Sequence, residues 1–171
     1  MLGKRMQEAL NTQVNAELYA SYLYLSAAAW FESKNLSGFA GWMKAQSVEE
    51  VGHAMRFFNH INERGGVVTL TAIEGPPTGF DSPLGAFEAA YGHEQKVTGM
   101  INDLVDLAIA EKDHAANAML QWFVTEQVEE EDQTGAAVER LKLAADNPNA
   151  LLMLDRDFGA RAVAMPATGE D

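Results

Sequence analysis

The chain contains no cysteine, only 5 prolines among its 171 residues, and 12 basic residues against 25 acidic ones. Without thiols there are no disulfides, thiolate metal sites or thiol nucleophiles, so any bound metal must be held by oxygen and imidazole. The formal charge of −13 disfavours binding to nucleic acid and to anionic membrane surfaces, and it favours cationic partners such as metal ions.

The sequence also lacks an apolar run long enough to cross a membrane, and its beginning lacks the apolar core of a secretion signal. We therefore expect a soluble, cytoplasmic protein without a membrane partner. Its hydrophobic fraction of 47% is ordinary for one globular domain with a sizeable core.

Apolar residues recur at helical spacing in four long segments, which predicts an all-α four-helix bundle. These segments cover about residues 2–33, 38–64, 82–113 and 114–145. Ser37 is the expected cap of the second helix, and Ser82-Pro83 begins the third. Short breaks make the helices of each pair antiparallel, whereas a long crossover after Gly65-Gly66 lets the second and third helices run parallel. The alternation of Val67, Thr69 and Thr71 is compatible with a short strand within that crossover but does not decide whether one forms.

The end of the chain adds a short fifth helix to this single domain. The stretch Asp146-Asn-Pro-Asn149 stops the fourth helix, and we expect the fifth at about residues 148–159, followed by a loose tail at about 160–171. Its apolar run from Leu151 to Leu154 would be exposed on a monomer, which favours assembly into an oligomer.

Each long helix carries a glutamate on its apolar face. Glu50 and His53 are three residues apart, as are Gln127 and Glu130, so each pair points from one face of its helix. Glu50 follows Glu17 at the same interval at which Gln127 follows Glu94, 33 residues. The chain therefore repeats one half-site twice.

Four carboxylates on the apolar faces of one bundle would be buried close together. Taken singly, an acidic run is usually a solvated helix face and a lone histidine a core residue. Taken together, the buried charges would each cost several kcal/mol, and no lysine or arginine occupies these faces at that level. Two divalent cations are the expected counterparts, with Glu50 the best candidate to bridge them. Carboxylates with one imidazole suit iron or manganese, although zinc also fits.

Further motifs extend this pattern over nearly the whole chain, and with them it closely resembles the bacterial and archaeal non-haem ferritins. They include Ser21-Tyr-Leu-Tyr-Leu25, Glu63-Arg-Gly-Gly66 and Gln121-Trp-Phe-Val-Thr-Glu-Gln-Val-Glu-Glu-Glu131. The resemblance implies a ferroxidase centre with two irons and a third iron site just inside it. The first iron takes Glu17, Glu50 and His53; the second takes Glu50, Glu94 and Glu130, with Gln127 beside them; the third takes Glu49, Glu126, Glu129 and Glu130.

Two positions qualify the resemblance. Tyr24 adjoins the centre in this family; it either supplies a proton or an electron, or it is a core tyrosine with a satisfied hydroxyl, and both interpretations stay open. Haem-containing members carry a second histidine where this chain has Glu130, and a methionine where it has Val51. We therefore expect no haem, and we expect Trp122 to serve packing.

The function implied by the resemblance is iron storage and detoxification. Fe(II) is oxidised to Fe(III) by dioxygen or peroxide, and the product is stored as ferric oxyhydroxide in a hollow shell of twenty-four subunits. The alternative is a di-iron or di-manganese redox enzyme, a peroxidase or oxygenase acting on a soluble substrate, which the single His53 and the additional glutamates disfavour. A metal-free interaction module is least compatible with the buried charge.

Overall fold

Five helices make up the part of the chain that the computed structural model describes, residues 2–144 and 147–163, with side chains up to residue 160. In chain order they are α1 (Lys4–Ser33), α2 (Ser37–Glu63), α3 (Pro83–Ala110), α4 (His114–Ala144) and α5 (Pro148–Val163). None of the described residues forms a strand, and the all-α prediction is confirmed. The predicted last residue of the fourth helix, Ala145, and the predicted tail beyond residue 163 lie outside the described residues.

A short turn joins α1 to α2. Asn35 adopts a positive φ of 60°, and the amide of Leu36 donates to the carbonyl of Phe31 at 3.1 Å. The prediction that Ser37 caps α2 is wrong, because Ser37 already lies within the helix. The helix starts one residue early since Leu36 is buried in the core and its carbonyl accepts the first helical bond, from Ala40 at 3.0 Å.

The crossover between α2 and α3 is held against α1 by asparagine side chains. Asn11 donates to the carbonyl of Val67 at 3.0 Å and accepts from the amide of Thr69 at 2.7 Å. One turn further along α1, Asn15 donates to the Thr71 hydroxyl at 2.9 Å. Residues 67–72 therefore form an extended segment that is hydrogen-bonded to side chains of α1. This described segment contains no strand.

Both helices of the second pair begin at a side-chain cap. Ser82 Oγ accepts a first-turn amide of α3 at 3.0 Å, with Pro83 in the first turn as predicted. Asp113 Oδ1 accepts the amide of Ala116 at 3.0 Å and so caps α4. Asp113 also pairs with Arg64 at 2.9 Å, which ties the end of α2 to the start of α4.

Two hydrophobic clusters fill the bundle, one toward each end. The first is aromatic and includes Phe31, Phe39, Trp42, Phe87 and Phe158. The second includes Met6, Leu10, Phe57, Ile101, Leu120 and Phe123. Along each of the four long helices, the residues of the two clusters are separated by an interval that carries buried polar side chains. The bundle therefore has a polar layer between two apolar ones.

The helix α5 packs against the start of α2 through two glycines. A Cβ added at Gly159 would lie 3.0 Å from Gly38 Cα, and a Cβ at Gly38 would collide with the backbone carbonyl of Asp155. The Asp155 side chain accepts the amide of Phe39 at 2.8 Å, and Phe158 inserts its ring into the first cluster. Only glycine permits this close approach of the two helices.

The helix α5 also runs further than the predicted 148–159, since it continues to Val163. Of its apolar run, Leu152 and Met153 are exposed, whereas Leu151 and Leu154 pack against the first cluster. The expected exposure of the whole run is therefore limited to its middle. No helix that the structure describes is long and apolar enough to traverse a bilayer.

Candidate metal centre

The polar layer contains one glutamate from each of the four long helices. Glu17, Glu50, Glu94 and Glu130 are each at most 2% exposed. Each occupies the helix face that also carries core residues, so packing the apolar side chains carries the carboxyl groups inside with them. All four glutamates that the sequence singles out are thus brought to the interior of the bundle.

Glu17, Glu50 and His53 form a fully buried group. Each offers a ligand atom, and these atoms all lie within 4.8 Å of one another. His53 Nδ1 is 3.2 Å from Glu50 Oε2. Glu17 Oε2 and Glu50 Oε1 are buried and have no hydrogen-bond partner. Carboxylate oxygens and an imidazole nitrogen this close together are donors that suit a cation, and the two oxygens without partners favour one because a buried polar atom without a partner is costly.

The carboxyl groups of this layer resist ionisation. Burial and then the charge of Glu50 raise the pKa of Glu17 well above its ordinary value. Burial and the charges of Glu94 and Glu130 do the same to the pKa of Glu50. Burial and the charge of Glu94 raise the pKa of Glu130 to about 8. The layer therefore holds protons near neutral pH until cations replace them.

Glu94 is held by hydrogen bonds on both of its oxygens. The Tyr24 hydroxyl donates to Oε1 at 2.6 Å, and Gln127 Nε2 lies 3.3 Å from Oε2. Burial raises the pKa of Glu94, and these two hydrogen bonds oppose the rise. Burial, followed by the charge of Glu94, also raises the pKa of Tyr24, so the phenol stays protonated and continues to donate. Tyr24 therefore has a satisfied hydroxyl, and its partner is a predicted ligand.

A second group lies on the α2–α4 side of the layer. Glu49, His53, Glu126 and Glu130 offer ligand atoms within 4.8 Å of one another. His53 Nε2 faces Glu126 at 3.9 Å, so the two ring nitrogens of His53 point to different groups. Glu126 is 20% exposed, which connects this group to the surface.

Three of the predicted metal ligands lie outside these two groups, namely Glu94, Gln127 and Glu129. Glu94 faces Tyr24 and Gln127 as described, although its charge acts on Glu50 and Glu130. Glu129 is exposed and accepts a hydrogen bond from Gln133 at 2.7 Å, so the structure does not bring it to Glu49 and Glu126. The hydrogen bond to Gln133 explains this, because it holds the carboxylate toward the next turn of α4, although Glu129 lies only one turn after Glu126.

Trp122 packs against the histidine of the centre. Its ring meets His53 edge-on, with 5.5 Å between centroids, and contacts Phe123 in the same way at 4.8 Å. The guanidinium of Arg56 lies 3.7 Å from the Trp122 ring centroid. These contacts restrict the orientation of the His53 ring.

Sequence reasoning missed two buried glutamines. Gln13 Nε2 donates to Glu17 Oε1 at 2.8 Å, and Gln46 Nε2 donates to Glu130 Oε2 at 2.9 Å. Both side chains are at most 3% exposed. A signal was present, because each lies one helical turn before a predicted glutamate, Glu17 or Glu50, on the same apolar face.

The charge of the layer is not balanced by cationic side chains. The lysine and arginine ion pairs within the described ranges lie elsewhere and involve none of the four central glutamates. Hydrogen bonds come instead from neutral amides and a phenol. The arrangement can therefore accept doubly charged cations in exchange for protons.

Comparison with known proteins agrees with this geometry. The family described as a ferritin-like domain matches residues 7–144. The bacterial non-heme ferritin of Bacteroides fragilis is 42% identical over 161 residues, covering 94% of this chain and 100% of the relative. That of Staphylococcus aureus is 36% identical over 161 residues, with 94% and 97% covered. The crystal structure of an open pore ferritin from the archaeon Archaeoglobus fulgidus is 50% identical, with a TM-score of 0.92 and 93% and 98% of the two chains covered.

Proposed function

Because this chain belongs to the ferritin family, we propose that it oxidises Fe(II) at a two-iron centre within its bundle and stores the Fe(III) as a mineral in a homo-oligomeric shell. The observation that carries the proposal is the pair of buried oxygens without hydrogen-bond partners, Glu17 Oε2 and Glu50 Oε1. They lie in a layer whose four central glutamates form none of the lysine or arginine ion pairs found among the described residues. Iron is the substrate that satisfies them.

Two iron positions share Glu50. The first takes Glu17, Glu50 and His53 Nδ1, whose ligand atoms already lie within 4.8 Å of one another. The second takes Glu50, Glu94 and Glu130, with Gln127 beside it. The charges of Glu94 and Glu130, which raise the pKa of Glu50, support their closeness to the bridge.

The protein's contribution to the chemistry is charge and proton placement. Anionic oxygen ligands stabilise Fe(III) more than Fe(II), so binding in this layer makes the loss of an electron easier. Two Fe(II) supply two electrons, and dioxygen takes these with two protons to form hydrogen peroxide. Tyr24 holds Glu94 Oε1 at 2.6 Å throughout, because its raised pKa keeps its proton in place. Peroxide could replace dioxygen as the oxidant without any change in ligands.

The second group offers a third iron position on the way out of the bundle. Glu49, Glu126 and Glu130 lie together with His53 Nε2 on the α2–α4 side, and Glu126 is partly exposed. A hydrated Fe(III) leaving the buried centre would meet these carboxylates next. Glu129, exposed one residue earlier on α4, completes the set only if its side chain turns away from Gln133.

Storage requires a closed or nearly closed assembly, and the surface supports one. Large apolar side chains that include Tyr22, Leu70, Leu152 and Met153 are about half exposed or more on the single chain. Surfaces of this kind mark interfaces between subunits. By resemblance the shell has twenty-four subunits, and a solved relative is described as an open pore ferritin.

Titration of the protein with Fe(II) in air, combined with measurement of its native mass by light scattering, tests the proposal. We expect a large homo-oligomer that takes up many irons per subunit and retains them as soluble Fe(III). A small oligomer that oxidises only stoichiometric iron, or that turns over an organic substrate with peroxide, would instead establish the alternative redox enzyme.

A matched pair of variants localises the reaction. His53→Ala should slow the initial oxidation by about 10- to 100-fold or more, the loss typical of a damaged metal site, while the oligomer remains assembled. His114→Ala removes an exposed histidine at the start of α4, outside the two metal-binding groups, and should leave the rate unchanged. Equal rates in the two variants would show that oxidation occurs elsewhere.

A further inference from the structure

Three buried glutamines surround the carboxylates of the centre. Gln13 donates to Glu17 Oε1 at 2.8 Å, and Gln46 donates to Glu130 Oε2 at 2.9 Å. Gln127 lies 3.3 Å from Glu94 Oε2. Every one of the four central glutamates except Glu50 therefore has an amide donor on one oxygen.

Glu50 differs from the other three carboxylates. Its Oε1 accepts no hydrogen bond from an amide or hydroxyl, its Oε2 lies 3.2 Å from His53 Nδ1, and its carboxyl group also interacts with that of Glu17. His53 and Glu17 are themselves ligands in the proposed function. No amide or hydroxyl donor therefore holds either oxygen of Glu50 when cations bind. Glu17 retains only one oxygen without a donor, Oε2, because Gln13 holds the other.

We propose that Gln13 and Gln46 are positioning residues that make Glu17 and Glu130 terminal ligands through one oxygen each, and thereby leave Glu50 as the bridge between the two cations. This inference rests on the proposed function. It assigns a role to two residues outside the ligand set.

The chemistry of the side chain fits this role. A glutamine amide donates a hydrogen bond without carrying charge, so it fixes the plane of a carboxylate but leaves its negative charge for the cation. A lysine or arginine at the same place would neutralise the carboxylate and compete with the metal. Both Gln13 and Gln46 are nearly fully buried, so water cannot supply the same donor when the amide is removed.

The substitutions Gln13→Leu and Gln46→Leu remove the donors, and Gln121→Leu is the matched control. Gln121 is exposed on α4 and donates to Asn117 at 3.1 Å on its own helix, with no contact to the centre. If a leucine variant fails to fold, Gln13→Asn or Gln46→Asn keeps a polar amide but withdraws it by one methylene.

The probe is Zn(II) alone, bound to the iron-free protein and followed by calorimetry and by infrared difference spectroscopy of the carboxylates. One-oxygen binding gives a wide separation of the two carboxylate stretching bands, and two-oxygen binding gives a narrow one. In Gln13→Leu and in Gln46→Leu we expect one of the two zinc-binding steps to weaken by about 10- to 100-fold and one band pair to narrow.

A role in folding alone would lower thermal stability without moving the bands. The inference is overturned if both variants fold, bind two zinc ions with the affinities of the unaltered protein, and keep its band separation. If the unaltered protein itself binds no zinc in the bundle, the proposed function fails instead, so the two failures are distinguishable.

Discussion

Binding of divalent cations to the metal-free protein should release protons, and Glu130 should determine how the number of released protons changes with pH. Burial and the charge of Glu94 raise the pKa of Glu130 to about 8. At about pH 7 this carboxyl is therefore about 90% protonated, and at about pH 9 only about 10%. Because a metal ligand must be ionised, Glu130 alone should release about 0.9 proton per subunit at the lower pH and about 0.1 at the higher.

The other carboxyl groups add to this number. The pKa of Glu17 and the pKa of Glu50 are both raised well above the ordinary value, so both groups also release protons on binding. The total per subunit near neutral pH should therefore exceed the contribution of Glu130 alone. Between these two pH values, the number of released protons should fall by at least the amount that Glu130 alone contributes.

Calorimetric titration with saturating Zn(II), in buffers of equal pH but different ionisation enthalpy, counts the protons. Glu130→Gln should lower the count by about 0.9 at about pH 7. Asp132→Asn removes an exposed carboxylate from the same helix and should leave the count unchanged. Zinc binding with no proton release near neutral pH, or an equal drop in both variants, would refute the reasoning about the buried layer.

Three further predictions concern stability and packing. The folded metal-free protein holds the Glu130 proton more tightly than the unfolded chain does. The stability that this group contributes is therefore complete below its ordinary pKa and is lost as the pH rises to about 8. The denaturant concentration at the midpoint of unfolding should fall over that pH interval, and a constant midpoint would contradict this. Tyr24→Phe leaves Glu94 Oε1 without its donor and should cost about 1–3 kcal/mol in denaturant unfolding, whereas no loss would show that the phenol is replaceable. Gly38→Ala should detach α5 from α2, and amide hydrogen exchange in α5 should become faster. Gly52→Ala, where an added Cβ has nothing within 4 Å, should instead stabilise α2 by about 0.5–1 kcal/mol. Unchanged exchange in Gly38→Ala would contradict the packing of α5 through this glycine.

Much of the fold follows from helical periodicity. The spacing of apolar residues predicts four long helices whose bounds agree with α1 to α4 within a few residues, because the buried face of a long helix repeats its signal many times. The ends are harder. Ser37 has the chemistry of a cap but is not one, since the burial of Leu36 decides where α2 begins. The close packing of α5 on α2 at Gly38 and Gly159 is a contact between helices, which helical periodicity does not display.

The candidate metal centre, too, is predicted by periodicity in part and decided by contacts between helices in part. Glu17, Glu50, Glu94 and Glu130 reach the interior because each shares a face with core residues, which the sequence displays directly. The sequence does not display contacts between helices. Gln46 holds Glu130 across the bundle, and Tyr24 holds Glu94 in the same way. Glu129 has the expected residue type, but its carboxylate is exposed and bound to Gln133.

If the buried carboxylate layer holds two cations, iron should occupy the interior of the bundle. Anomalous scattering from crystals of the protein exposed to Fe(II) without oxygen would locate it. We expect two iron peaks per subunit between the hydrophobic clusters, one on each side of Glu50, with His53 Nδ1 on the first. Iron bound only at exposed carboxylates, with the interior empty and Glu17 and Glu50 still protonated, would contradict the account.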